Sequence, residues 1–173
     1  MIAILTPFDS WSPDGELTPR GLQEIQPLRS GEHPVIARDL RWLASQGVDR
    51  VIVAQGRAGD GLEELVSDPE RFGLEELRLI RPEHKGSAAA VLAADIGAEP
   101  GPIVIVDSSH LFAFDLAKMC AEHQKSPAIA TMAVHALPER ELSVWRGGRV
   151  EIDRTGRVLR LQSAELAPEL GLV

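Results

Sequence analysis

The chain has 173 residues, 44% hydrophobic and 25% charged, a composition that fits one globular domain over residues 1–173 with a single good core. Its formal net charge of −8 argues against non-specific nucleic-acid binding, and its single cysteine excludes an internal disulfide or a multi-cysteine metal site. No apolar run is long enough to span a membrane and Met1-Ile2-Ala3-Ile4-Leu5 lacks a basic leader, so the expected compartment is the cytoplasm.

Ile2 to Leu5 is a short apolar run and reads as the first strand. From Thr6 to His33 the chain is irregular, with a turn at Ser12-Pro13-Asp14-Gly15 and room for a short helix over Gly21 to Gln26. Long loops in small domains tend to be functional or disordered. Pro34 is suited to open a helix in which Val35, Leu40, Leu43 and Ala44 share a face, and Gly47 is suited to end it. Val51 to Ala54 is the next buried strand, and Gln55-Gly56 begins a crevice loop. Gly61 to Ser67 suits a short helix, Leu77 to Ile80 a strand, and Ala88 to Ala94 an alanine-rich helix able to lie close on a sheet.

Ile103-Val104-Ile105-Val106 is too short for a buried helix and is bounded by Gly101-Pro102 and Asp107-Ser108-Ser109. It reads as a strand buried on both faces of a parallel sheet. Ligand crevices in open α/β sheets lie beyond the carboxyl ends of such strands, so Asp107, Ser108, Ser109 and His110 stand where chemistry is expected. The same residues also suffice to end a strand and begin a turn. Asp115 to Gln124 is an amphipathic helix in which Cys120 reads as a buried structural thiol, and Ala128 to Val134 reads as a further strand. Val144 to Ile152 and Arg157 to Leu161 form a hairpin joined by Asp153-Arg154-Thr155-Gly156. The sum is an α/β, Rossmann-type three-layer sandwich with a mainly parallel sheet and a small antiparallel flap.

Five stretches occur together and in order: HPVIARDLRWLASQGVDRVIVAQG, KGSAAAVLAAD, IVIVDSSHLFAFDLAKMCAEHQ, AIATMAV and VEIDRTGRVLRL. Across them the chain resembles the sugar-phosphate nucleotidyltransferases, or NDP-sugar pyrophosphorylases, over roughly three quarters of its length. The resemblance implies a GT-A-like fold and an activity that joins an NTP to a sugar 1-phosphate with release of pyrophosphate. It also implies a glycine-rich first loop with a TR pair, a phosphate-binding lysine, an LGTA-like nucleotide loop and an NGD-like motif whose aspartate holds magnesium.

Against that pattern, Gly86 and Ser87 match the LGTA-like loop and Gly148 matches a sugar-side glycine. Asp107 takes the asparagine position of NGD, and Ser109 falls where its aspartate should be. Ser163 replaces a sugar-side glutamate, and the sequence ends before the family's second metal aspartate. The loop after Leu5 reads TPFDSWSPDG without the glycine cluster, and the first lysine of the chain is Lys85. The expectation is therefore a truncated, degenerate member, with Gly86, Ser87 and Ser109 on nucleotide and Asp107 on Mg2+ only where catalysis survives. No residue is assigned a catalytic role. The partners implied are a nucleotide or nucleotide sugar, or a protein, a second copy of the chain included; nucleic acid and membrane are not expected. An active enzyme with a rebuilt loop, using Arg20 or Arg29 on phosphate and Asp107 on metal, is the alternative.

Two competing readings fail. AILTPFDSWSPDGEL resembles the opening of the dihydrodipicolinate synthase family, but a (β/α)8 barrel needs about 250 residues and the chain has no tyrosine for that family's proton relay. His110 beside two serines is not a triad, and no G-x-S-x-G elbow is present. The loop to His33 carries Asp9, Asp14, Glu16, Glu24 and Glu32 against Arg20 and Arg29, together with Phe8 and Trp11. It is expected to have exchanged phosphate binding for packing or partner contact.

Overall fold

A computed structural model describes residues 1–6, 29–30, 33–54, 62–82, 87–97, 101–107, 113–136 and 149–162. The chain divides into two compact units, Met1–Ile129 and Ala130–Val173.

The first unit is built on strand β1 (Ile2–Thr6), every residue of which is buried. β4 (Arg50–Ala54) and β6 (Ile103–Asp107) flank it in parallel, and β5 (Glu76–Ile80) lies outside β4, giving the order β5-β4-β1-β6. The three apolar runs read from the sequence as strands are thus parallel neighbours. Period-two alternation sorts their side chains between two faces. Ala3, Leu5, Val51, Val53 and Val106 meet helix α1 (Val35–Ser45) and Leu116 of helix α4 (Leu116–Lys125). Ile2, Ile4, Ile52 and Ala54 meet Ala90, midway along helix α3 (Ser87–Ala93), and Ala94, just past its end. Alanine on α3 leaves room for close approach to the sheet. Helices on both faces complete the three layers.

Helix α1 turns one stripe inward, Ile36, Ala37, Leu40 and Leu43, at the spacing of an amphipathic helix. It stops at Gly47, whose φ of +82° is costly for any residue with a Cβ. Gly47 N–H donates to Ala44 O at 3.0 Å and Val48 N–H to Leu43 O at 3.1 Å, the paired bonds of a Schellman ending. Helix α2 (Leu62–Val66) is short, as expected. A 3-10 turn at Glu70–Phe72 was not legible in the sequence; it buries Phe72 and ends on Gly73 at φ +79°.

Three expectations are corrected. Ile103–Val106 is not buried on both faces: β6 is an edge strand among the described residues, and Ile103 and Ile105 are 42% and 53% exposed. An unbroken apolar run reports strand propensity, and it cannot distinguish a central strand from an edge. Residues 128–134 form no strand in either unit and are exposed, because alternation of apolar residues makes a strand only where a ladder partner satisfies the backbone. The stretch before α1 is not wholly irregular: β2 (Arg29–Ser30) and β3 (His33–Pro34) pair antiparallel, so Pro34 ends a strand and Val35 starts the helix.

The second unit holds the hairpin of β7 (Arg149–Ile152) and β8 (Val158–Gln162), joined as expected through Asp153–Gly156. Gly156 takes φ +84°, and Asp153 N–H donates to Arg157 O at 3.0 Å to close the turn. Asp153 Oδ1 accepts from Thr155 N–H, Thr155 Oγ1 and Arg157 N–H.

Candidate functional site

The parallel register brings the carboxyl ends of the strands to one rim. Thr6 stands opposite Asp107, and Ala54 opposite Ile80. The residues that follow these strands in the chain, 7–28, 55–61, 83–86 and 108–112, lie outside the described residues. Ser109, Gly86 and the bulk of the Thr6–His33 loop, with Trp11 and Phe8, fall there, as does Gly148. Ser87 begins α3, the helix that follows β5 in the chain.

Asp107 is the last residue of β6 and is exposed. Its register partner Thr6 is buried, and Thr6 Oγ1 donates to the Val106 carbonyl at 3.1 Å. That bond ties β1 to β6 directly beneath Asp107 and fixes where the strand end points its last residue.

The rim has a further carboxyl that the sequence reading did not single out. Asp39, on the second turn of α1, is 1% exposed, and its Oδ2 has no hydrogen-bond partner among the described residues. Burial pushes its carboxyl up to about 7; the Arg38 charge draws it down and the Asp107 charge pushes it further up. The signal was present in the pattern: Asp39 sits three residues after Ile36 and four before Leu43, inside the apolar stripe.

Asp107 is the residue of this rim expected to face a metal, and it stands at the end of β6. Among the described residues no three His, Cys, Asp or Glu side chains come together as a ligand set. Asp107 supplies one exposed carboxylate, and Asp39 supplies a buried carboxyl whose pKa burial raises. Cys120, partly buried, donates to Met1 Sδ at 3.5 Å, and burial raises its thiol pKa, which disfavours the reactive thiolate.

A family model described as nucleotidyl transferase matches residues 21–163, most of the chain. The chain belongs to the nucleotidyl transferase family. A solved structure, the crystal structure of UDP-glucose pyrophosphorylase complexed with UDP-glucose, superposes with a TM-score of 0.57 at 15% sequence identity. The match covers 95% of this chain and 69% of that one, and it establishes a shared fold. No curated protein matches the chain. Family membership agrees with the order of the five motif stretches, and the parallel sheet with its flap agrees with the family fold. No helix among the described residues is long and apolar enough to cross a membrane.

Proposed function

We propose that this nucleotidyl transferase family member acts by binding rather than by efficient pyrophosphate chemistry. Its ligand would be a nucleotide or nucleotide sugar held in the crevice beyond β1 and β6. The observation that carries this reading is the sequence at the rim: Asp107 ends β6, and Ser109 stands where the family's metal aspartate is expected. Phosphoryl-transfer catalysis depends on charge neutralisation by metal and cationic side chains. The sequence removes the loop lysine and the glycine cluster as well, since no lysine precedes Lys85. In this reading Gly86, Ser87 and Ser109 contact the ligand, and Asp107 faces it without an obligatory Mg2+. The protein works in the cytoplasm.

Binding is tested by calorimetry with a panel of NTPs and nucleotide sugars, and chemistry by pyrophosphate release from NTPs and sugar 1-phosphates. Saturable binding with no pyrophosphate above background is expected. Turnover that Asp107→Ala abolishes would establish the rebuilt active site instead.

The β6 edge favours a second reading, a protein partner or a second copy of this chain. Ile103 and Ile105 lie side by side on one face of an edge strand, an arrangement that soluble proteins usually blunt with charge.

A further inference from the structure

Asp39 occupies a position where an ionised side chain has no support. It lies on the sheet-facing stripe of α1 among Ile36, Leu40 and Leu43, and those residues pack on Leu5, Val53 and Val106. Among the described residues its Oδ2 meets no donor. Arg38 on the same helix and Asp107 on β6 are the charged groups that bear on it among the described residues, and they act in opposite directions. A carboxylate stripped of water and lacking a donor is strongly disfavoured, whereas the protonated acid is tolerated. Loosening α1 from the sheet would let water reach the ionised group.

We propose that Asp39 is a pH-sensitive latch on α1: the helix seats on the sheet with this carboxyl protonated, and ionisation loosens the helix and with it the floor of the carboxyl-end crevice. The sign follows from linkage. The seated form holds the proton to about pH 7, whereas the freely solvated group loses it near 3.8. The stabilisation from holding this proton is fully present below 3.8 and is lost as pH rises through the folded value. The opening equilibrium should therefore rise by about tenfold per pH unit through the acid range, then level off.

Hydrogen exchange at the amides of α1, corrected for the intrinsic pH dependence, reads this directly in the full chain. The parent should show the rising limb up to about pH 7 and a plateau above it. Asp39→Asn should be flat. Should Asp39→Asn fail to fold, Asp39→Leu, which fills the same stripe, carries the same comparison. Carbon-13 titration of the parent should place the Asp39 carboxyl midpoint near neutrality. A midpoint near 4, the ordinary carboxylate range, would overturn the proposal. So would opening that does not change with pH, or an Asp39→Asn profile that matches the parent.

Discussion

Gln46, just past the end of α1, accepts the backbone N–H of Leu116 on its Oε1 at 2.9 Å, so the close of one helix caps the start of another. The first N–H groups of a helix have no partner inside it. In α4 two of them are satisfied from outside the helix: Leu116 by Gln46, and Lys118 by the Asp115 side chain at 2.8 Å. Leu116 is itself buried in the core that α1 helps to form, so the cap holds a packed residue in place.

Gln46→Ala and Asp115→Ala should each lower stability by roughly 1 kcal/mol, the usual worth of a cap or a single hydrogen bond. Asp115→Asn should retain most of it, because Asn also caps. Urea melts of the three variants check this. Equal losses for Asp115→Asn and Asp115→Ala would show that charge, not capping, is what matters there.

Leu40 is fully buried between α1 and the sheet, whereas Leu92 on α3 is exposed. Leu40→Ala should cost about 2–5 kcal/mol through lost burial and the cavity left behind. Leu92→Ala should stay within about 0.5 kcal/mol. The same urea melts decide it, and comparable losses at both positions would refute the assignment of the core.

The hairpin turn should weaken in acid. Hydrogen bonds from the Thr155 hydroxyl and from the Arg157 and Thr155 backbone hold the Asp153 carboxyl below its ordinary value. A depressed folded pKa means stability that is present above the unfolded value, 3.8, and lost as pH falls through the folded one. Amide chemical shifts of Thr155 and Arg157 should move together below that value in the parent and stay constant in Asp153→Asn. Gly156→Ala should loosen the turn at every pH, because φ is +84° there.

Much of this fold was legible in the sequence, and the limits have physical causes. The runs at Ile2, Val51 and Ile103 announce strands because short β-rich apolar segments bounded by turn residues have few alternatives. Gly47 and Gly156 announce their turns because each needs a positive φ. Periodicity, however, reports what a segment buries and not who its neighbour is. Hence the edge position of β6 and the unpaired course of residues 128–134 could not be read. Asp107 was singled out from its place at the close of an apolar run, whereas Asp39 was not singled out. Its spacing to Ile36 and Leu43 already put it on the inward stripe, whereas its electrostatic coupling to Asp107 needed the three-dimensional arrangement.

On the β6 edge, Ile103→Lys with Ile105→Lys should leave folding stability within about 0.5 kcal/mol per site, because both side chains are already substantially exposed. Light scattering at high concentration should fall if this edge mediates association, since charge on an edge strand opposes pairing. Unchanged assembly in a parent that does associate would move the interface elsewhere.

Asp107 gives the sharpest test of the crevice, because its two roles predict opposite signs. If it faces a phosphate-bearing ligand directly, the two negative charges repel. At separations of about 8 Å and effective dielectrics between those of a protein surface and bulk water, the penalty is roughly 0.5–2 kcal/mol. Asp107→Asn keeps the shape and removes the charge, so nucleotide or nucleotide-sugar affinity should rise by about two- to thirty-fold. That rise should shrink at high salt, where exposed charges are screened, and should not depend on magnesium. If Asp107 instead holds a metal that bridges to phosphate, Asp107→Asn must weaken binding, and only when magnesium is present. Calorimetric titration of parent and variant, with Mg2+ and with EDTA, separates the two. The expected result is tighter binding by Asp107→Asn in both buffers. Metal-dependent weakening would return this chain to the catalytic members of its family.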